Sequence, residues 1–478
     1  MGKSRTLRKL YEALEASRHF HEWHQIALQI DERSGGKSWR AEHHCVEFDY
    51  TIIEDHLRQL QGYRENGANR ALLQFLTESL YRLNHDITRP KLYAKSMIGP
   101  KQIVERYYAE VERSIRYLCD TPDDDFPDSD KLTIFESAVE SFGRTALLLS
   151  GGATLGYYHL GVAKALWDQD LLPSVISGSS MGSIIAAAIC TRTDAELAEW
   201  FDDHSEVDVQ GLSPNPILKW RKKGSIFDQN ALKKALHNNI RNETFLASYE
   251  RTGRVLNISV SPTRHNQKPR VLNYQTAPDA LIIQACLASS AVPGLFQPVT
   301  LTQRTPDGQE VPYLLSETWV DGSIEGDLPK LRLSRLQNVN HFIVSQTNPH
   351  VLPIVRAKSG RGIGAKLVGA GTRFAQVQSG YLLEVVKGLS PSDWAKTLLG
   401  RTQKFIAQDY EGDINIHPAF RMDLYQLMMK NPSHEQLSLF IKEGEIATWP
   451  QLALIRYQTL VARVLADCAQ RLKSRLEC

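Results

Sequence analysis

Residues 178 to 182 read Gly-Ser-Ser-Met-Gly, a G-x-S-x-G pentapeptide set between the β-branched run SVIS and the alanine-rich stretch SIIAAAIC. A serine placed there can act as a nucleophile. On a sharp strand-to-helix turn its hydroxyl stands exposed at the positive end of the following helix, where developing negative charge is stabilised. Neighbouring side chains would collide in such a turn, and Gly178 and Gly182 supply the room. Ser180 is therefore the candidate nucleophile. A serine that attacks a carbonyl also needs N–H donors for the resulting oxyanion. Upstream, ALLLSGGATLGYYHLGVAKAL (146 to 166) reads as a buried strand, a glycine turn and a helix start, so Gly151 and Gly152 are the candidate oxyanion donors. The same turn lacks both the Gly-Lys-Ser/Thr of a phosphate-binding loop and the G-x-G-x-x-G spacing of a dinucleotide site, which argues against nucleotide binding.

The serine needs a base as well. His341, His350 and His417 are the histidines a conventional triad would draw on, and none stands in a distinctive setting. In SETWVDGSIEGDLP, Asp321 follows an aromatic and β-branched strand and precedes a glycine, which aims a carboxylate from a strand end. Asp327 in the same stretch reads as organising the turn before Leu328 and Pro329. A carboxylate is a weak base at its reference pKa of about 4. Burial must raise it, or the oxyanion donors must carry most of the rate, and either condition restricts substrates to esters and similarly activated acyl groups.

The elements that must position these residues fall into three blocks over 478 residues. Residues 1 to 138 carry apolar residues at helical spacing throughout, and the acidic stretch TPDDDFPDSDK (121 to 131) reads as a linker. Residues 139 to 350 alternate the strand-like runs TALLLS, SVIS, VLNISV, TWVD and HFIVS with helical stretches, which predicts a mixed α/β core. Residues 351 to 478 open on a glycine-rich basic piece and return to helix. Lys and Arg number 56 against 54 Asp and Glu, a net charge of +2, so the overall balance gives no sign of a nucleic-acid partner. The six cysteines show no C-x-x-C pairing, which argues against a zinc site or a disulfide framework and fits a reducing, cytoplasmic compartment. No apolar run reaches the length of a membrane span, and the first residues lack a signal-peptide core. Met1-Gly2-Lys3-Ser4-Arg5-Thr6 fits the loose myristoylation pattern, but so short a pattern is easily met by chance and the stretch reads first as a plain basic helix start.

In order along the chain, G-G-x-x-x-G, G-x-S-x-G and D-G-[GAS] form a pattern that resembles the patatin-like acyl hydrolases, which use a Ser-Asp dyad. SLYRLNHDITRPKLYAKSMIGPKQIVERYYAEV, ACLASSAVPGLFQPV, QDYEGDINIHP and EGEIATWP are similar to the branch with an N-terminal helical domain that includes fungal and plant triacylglycerol lipases and bacterial relatives. The resemblance covers nearly the whole chain. It implies a three-layer α/β/α catalytic core with helical extensions at both ends. It also implies Ser180 as nucleophile, Asp321 as base, Gly151 and Gly152 as oxyanion hole, and no metal or organic cofactor. The turn departs from the common G-G-G-x-[RK]-G by carrying Ala153 and Leu155, which weakens any headgroup contact at that basic position.

Trp220 beside Arg221, Lys222 and Lys223 is a basic-aromatic cluster suited to a lipid–water interface, and it reads equally as an exposed loop. Residues 365 to 389 read as a core-packed or an interfacial helix. LASSAVPGLFQPV (287 to 299) is similar to the segment lining the acyl site, with Pro293 and Pro298 fixing a tight path, and also reads as a helix end with a proline stop. The expected protein is a cytoplasmic, peripherally membrane-associated serine hydrolase of long-chain acyl esters of glycerolipids, meeting its substrate at a membrane or lipid-droplet surface. A Ser-His-Asp α/β-hydrolase and a catalytically idle lipid-binding scaffold are the alternatives.

Overall fold

The β-branched and leucine-rich runs fold as strands because both of their faces are covered, which is what a continuous apolar run requires. In the computed structural model, β1 (Arg144–Leu149), β2 (Val175–Gly178), β3 (Val255–Pro262), β4 (Arg270–Leu272), β7 (Trp319–Asp321), β8 (Val339–Ser345) and β9 (Ile414–Ile416) form one seven-stranded sheet. Its order is β4-β3-β2-β1-β8-β9, with β7 added beside β3, and β5 (Thr302–Arg304) and β6 (Glu310–Pro312) form a separate hairpin. The pairs β1–β2, β2–β3 and β8–β9 are parallel, whereas β4 and β7 run antiparallel to β3. The structure describes residues 2–122, 126–216, 224–264, 267–348, 351, 410–419 and 422–477. The fold class is mixed α/β, with helices packed on a mainly parallel sheet.

Parallel strands send their carboxyl ends to one edge, where open α/β sheets place their ligand sites. Here β1 ends in the glycine turn, β2 ends in the Gly178–Gly182 turn, and β8 runs into Gln346-Thr347-Asn348. Next to β1 the chain order reverses, with β2 on one side and β8 on the other, so the glycine turn lies at the switch point. The core beneath is built from Ala146, Leu148, Val175, Val255, Val339 and Val344, all buried.

The contacts divide the chain into two compact units, Met1–Arg144 with Thr448–Cys478, and Thr145–Ala447. In the first, the helix Gln102–Asp120 buries Ile103, Tyr107, Val111, Ile115 and Leu118 at three- and four-residue spacing. The helix Leu452–Glu477 packs with it and with the helix Asp128–Phe142. The segment from 351 onward is thus not one block: residues 410–447 belong with the sheet and 448–477 with the N-terminal helices. The periodicity of that last helix marked its apolar face but carried no information about its partner.

Within the sheet-bearing unit, the helix Tyr158–Trp167 crosses the helix His434–Thr448 at a glycine-to-glycine contact. A Cβ at Gly161 would overlap the Ile441 carbonyl, and one at Gly444 would overlap the Tyr158 carbonyl. Because backbone atoms cannot yield as side-chain ends do, Gly161→Ala is expected to cost roughly 2–3 kcal/mol or more. A thermal melt should show the midpoint several degrees lower. An unchanged midpoint would mean that the two helices do not pack this closely.

Candidate active site

Ser180 sits between β2 and the helix Met181–Cys190 with φ +50° and ψ −127°, a conformation that side chains other than glycine rarely adopt. The glycines flanking it make the turn possible. A Cβ on Gly178 would overlap the Gly182 carbonyl, and one on Gly182 would overlap the carbonyls of Leu149 and Ser150. The strained serine is held from both sides. Its N–H donates to Ser289 Oγ at 3.0 Å, and Ser289 Oγ donates to the Ser259 carbonyl of β3 at 2.8 Å. The Ser180 carbonyl accepts from Ser183 N–H at 2.9 Å and from Ser183 Oγ at 2.6 Å. The N–H of Met181, at the first helical position, has no acceptor within its helix.

Asp321 ends β7 and is fully buried, with its N–H donating to the Ala291 carbonyl at 3.1 Å. Its Oδ1 accepts from Ser323 N–H at 2.7 Å, whereas its Oδ2 is buried without a hydrogen bond of normal geometry. Burial pushes the carboxyl up to about 6, against the stabilising pull of the Ser323 side chain, the Ser180 hydroxyl and the Ser323 N–H. The Ser180 hydroxyl is near enough to lower the carboxyl yet closes no hydrogen bond of normal geometry to Oδ2. The segment 287–299 runs alongside this strand, with Val299 and Trp319 exchanging N–H···O bonds of 2.9 and 2.8 Å.

In the glycine turn the structure differs from the simplest expectation. The Ser150 carbonyl accepts from His159 Nε2 at 2.9 Å, so the N–H on the other side of that planar peptide, Gly151 N–H, points away and donates to Asp327 Oδ1 at 2.9 Å. The Gly151 carbonyl accepts from Thr347 Oγ1 at 3.0 Å, which turns Gly152 N–H in the opposite direction. Gly152 N–H has no acceptor among the described residues. Gly151 N–H is therefore already engaged, and Gly152 N–H is the available donor. The glycines are also needed for a different reason from the one the sequence suggested. A Cβ on Gly152 would overlap Thr347 Oγ1, and one on Gly151 would crowd Ser323 Cβ at 3.1 Å, so their smallness lets β8 and the Asp321 segment close on the turn.

Asp327 is the residue that sequence reasoning placed wrongly. It is buried and accepts from Gly151 N–H, from Ser179 Oγ immediately before Ser180, and from Asn348 Nδ2 after β8. It therefore clamps the glycine turn, the serine turn and the end of β8, where a local turn before Leu328 and Pro329 was expected. Burial pushes it up to about 7, opposed by the Ser179 and Gly151 bonds, with the charge of Asp321 pushing it further up and Asn348 pulling it down. No local sequence signal distinguishes this role, because two of its partners lie 176 and 148 residues away.

The histidines do not gather at Ser180. His341 Nδ1 meets Thr145 Oγ1 at 3.2 Å near the start of β8, at the opposite end of the strands from the serine. His417 follows β9, three strands from β2. His159 commits both ring nitrogens, Nδ1 to Ser345 Oγ at 2.7 Å and Nε2 to the Ser150 carbonyl, and burial lowers it to about 4. His350, the cluster Trp220, Arg221, Lys222 and Lys223, and residues 365–389 lie outside the described residues.

Two outcomes follow from the carboxylates. Asp327→Asn would turn one amide against the amide of Asn348 and lower the melting midpoint, and Asn348→Asp in the same chain should restore a donor–acceptor pair and recover most of the loss. No recovery would mean that Asp327 is not the clamp. Asp321 binds its proton more tightly folded than unfolded, so its contribution to stability is greatest below about pH 4 and is lost as pH rises through about 6. Asp321→Asn should therefore be more stable than the parent chain at pH 8, by up to about 3 kcal/mol, with no difference below about pH 4. A destabilised Asp321→Asn at pH 8 would contradict this.

Comparison with known proteins agrees with the geometry. Residues 147–330 match the patatin-like phospholipase family and residues 2–140 match a domain of unknown function, DUF3336. The triacylglycerol lipase SDP1L of Arabidopsis thaliana is 31% identical over 95% of this chain and 57% of its own length. The triacylglycerol lipase ptl2 of Schizosaccharomyces pombe is 31% identical over 97% of this chain and 75% of its own. A patatin-like phospholipase domain-containing protein of Coccidioides immitis is 32% identical over 96% and 66%. The chain thus spans between about half and three quarters of the length of these relatives. With both the match over residues 147–330 and the likeness to a relative of which it covers three quarters, the chain belongs to the patatin-like phospholipase family.

Proposed function

We propose that this protein is a serine acyl hydrolase acting on long-chain acyl esters of glycerolipids, with Ser180 as nucleophile and Asp321 as base. The observation that carries the reading is a strained serine at a helix N-terminus beside a buried carboxyl whose pKa is raised to about 6 and whose Oδ2 is uncommitted. Ser180 Oγ attacks the ester carbonyl while Asp321 takes its proton. The carbonyl oxygen becomes an oxyanion facing Gly152 N–H and Met181 N–H, both at the positive end of a short helix. Collapse expels the alcohol, which leaves with the proton from Asp321, and an acyl group remains on Ser180. Water, deprotonated by the same carboxylate, then releases the fatty acid and regenerates the serine.

The choice of carboxylate over histidine rests on position: each described histidine weighed as a base is bonded elsewhere or lies strands away. The raised pKa addresses the weakness of a carboxylate base, because a group near 6 accepts a proton better than one near 4. The relatives named as triacylglycerol lipases favour a glycerolipid ester as substrate. Among the described residues no helix is long and apolar enough to cross a membrane. Contact with a membrane or lipid-droplet surface is proposed as peripheral.

Ser180→Ala and Asp321→Asn should each lower kcat/KM on a short soluble ester by at least about 1,000-fold, and the double change should be little worse than either, because the pair acts as a unit. His341→Ala and His417→Ala should retain turnover. Since Asp321 must be ionised to take the proton, kcat/KM should fall about tenfold per pH unit below about 6 and level off above it. Substantial turnover in Asp321→Asn would overturn the dyad. A fluorophosphonate that fails to label Ser180 in the folded protein would favour a lipid-binding scaffold. Product analysis by mass spectrometry on a panel of triacylglycerol, phospholipid and lysophospholipid would identify the ester cleaved.

A further inference from the structure

Two adjoining cavities, of about 470 and 800 Å³, lie along β4 and share Lys268, Arg270 and Arg332 in their walls. None of these three side chains forms an ion pair or a hydrogen bond with another protein group among the described residues. The Arg270 guanidinium lies over the buried indole of Trp319, 5.2 Å from the ring centre, which fixes the cation beside β7. Arg332 is half-buried, and burial together with the charge of Arg270 lowers its pKa from the ordinary value. Two like-charged guanidiniums in the wall of one cavity, neither in an ion pair with a carboxylate of the described residues, leave positive charge that an anion would balance. Glu411 and Asp413 also line the larger cavity, and neither forms an ion pair with these three cations among the described residues. Asp413 accepts from Phe342 N–H at 2.7 Å, and Glu317 takes Gln267 at 3.3 Å and Arg264 at 3.4 Å.

The location connects this cluster to the serine site. Arg270 and Asp321 are both Cα partners of Val260, from opposite sides of β3, so all three share one row and one face of the sheet. Two strand spacings separate the two Cα atoms, about 10 Å. Gly326 and Leu328, on either side of the Asp327 clamp, line the larger cavity. Leu331, 63% exposed, stands at its rim, an apolar side chain among cations.

We propose that Lys268, Arg270 and Arg332 form a binding site for a phosphoryl group. Two planar guanidiniums match its oxygens in pairs, and three positive charges suit a dianion better than a single carboxylate. The exposed leucine at the rim favours a phosphoryl group carried by a lipid, with the glycerol and acyl portion passing over Leu331. Binding of the anion stands on the cluster alone, and only its service as a headgroup subsite rests on the hydrolase reading.

The test is calorimetric titration of the full chain carrying Ser180→Ala, so that no probe is consumed, with inorganic phosphate, dihexanoyl phosphatidic acid and neutral dihexanoylglycerol at low salt. Both phosphate probes should bind, and Arg270→Gln with Arg332→Gln should weaken them at least about tenfold. Lys233→Gln with Lys234→Gln, which removes equal charge from another helix, should leave binding unchanged. Phosphatidic acid binding at least about tenfold tighter than inorganic phosphate identifies a lipid headgroup as the occupant, and equal affinities identify free phosphate. The melting midpoint of the double-arginine variant should match that of the parent chain and show that it is folded. Absence of phosphate binding at millimolar concentration, or equal loss in the lysine variant, overturns the site. Failure of the parent chain to hydrolyse any ester would overturn the hydrolase reading instead, leaving the binding result intact.

Discussion

The acceptor bonds of one buried carboxylate hold the site together. Asp327 reaches Gly151 after β1, Ser179 before the strained serine, and Asn348 after β8, so three strand ends converge on one side chain. Taking an ionised carboxylate out of water costs several kcal/mol, and donors from all three segments offset that cost only when every segment is in place. Loss of any one leaves a buried acceptor unsatisfied. The network therefore favours a single arrangement of the turn and the serine over looser ones of similar compactness.

Around that clamp, backbone approaches backbone where side chains would not fit. Gly178 faces the Gly182 carbonyl, Gly182 faces Leu149 and Ser150, and Gly322 faces Ser259. These contacts force Ser180 into its left-handed conformation and let the Ser289 hydroxyl bridge its N–H to β3. Asp321 carries a cost to stability. Its buried carboxyl weakens the fold as pH rises through about 6, and the same burial is what would suit it to the proposed role of base. Burial raises both carboxyls and the charge of Asp321 raises Asp327 further, while Asp327 takes three hydrogen bonds and Asp321 keeps one oxygen uncommitted.

What the sequence made legible was local. The runs TALLLS, SVIS, VLNISV, TWVD and HFIVS appear as β1, β2, β3, β7 and β8, because continuous apolar runs announce buried strands. The setting of Ser180 and the strand-end placement of Asp321 follow from neighbours within a few residues. The clamp did not, since Asp327 meets residues far away in sequence and nothing near it differs from an ordinary turn. Nor did the division of labour in the glycine turn, where His159 and Thr347 decide which peptide N–H is left over. Three-residue strands such as β4 and β9 are too short to carry a periodic signal, and with β4 went the arginine that stands across β3 from Asp321.

The proposed mechanism requires a covalent bond at Ser180. Mixing the protein with a slowly deacylating long-chain ester, quenching in acid within the first turnovers and mapping the peptides by mass spectrometry would detect that bond directly. The predicted result is one acyl group per chain, carried on Ser180 and absent when Asp321 is Asn. An acyl group on any other residue, or turnover with no acylated peptide at any time point, would contradict it.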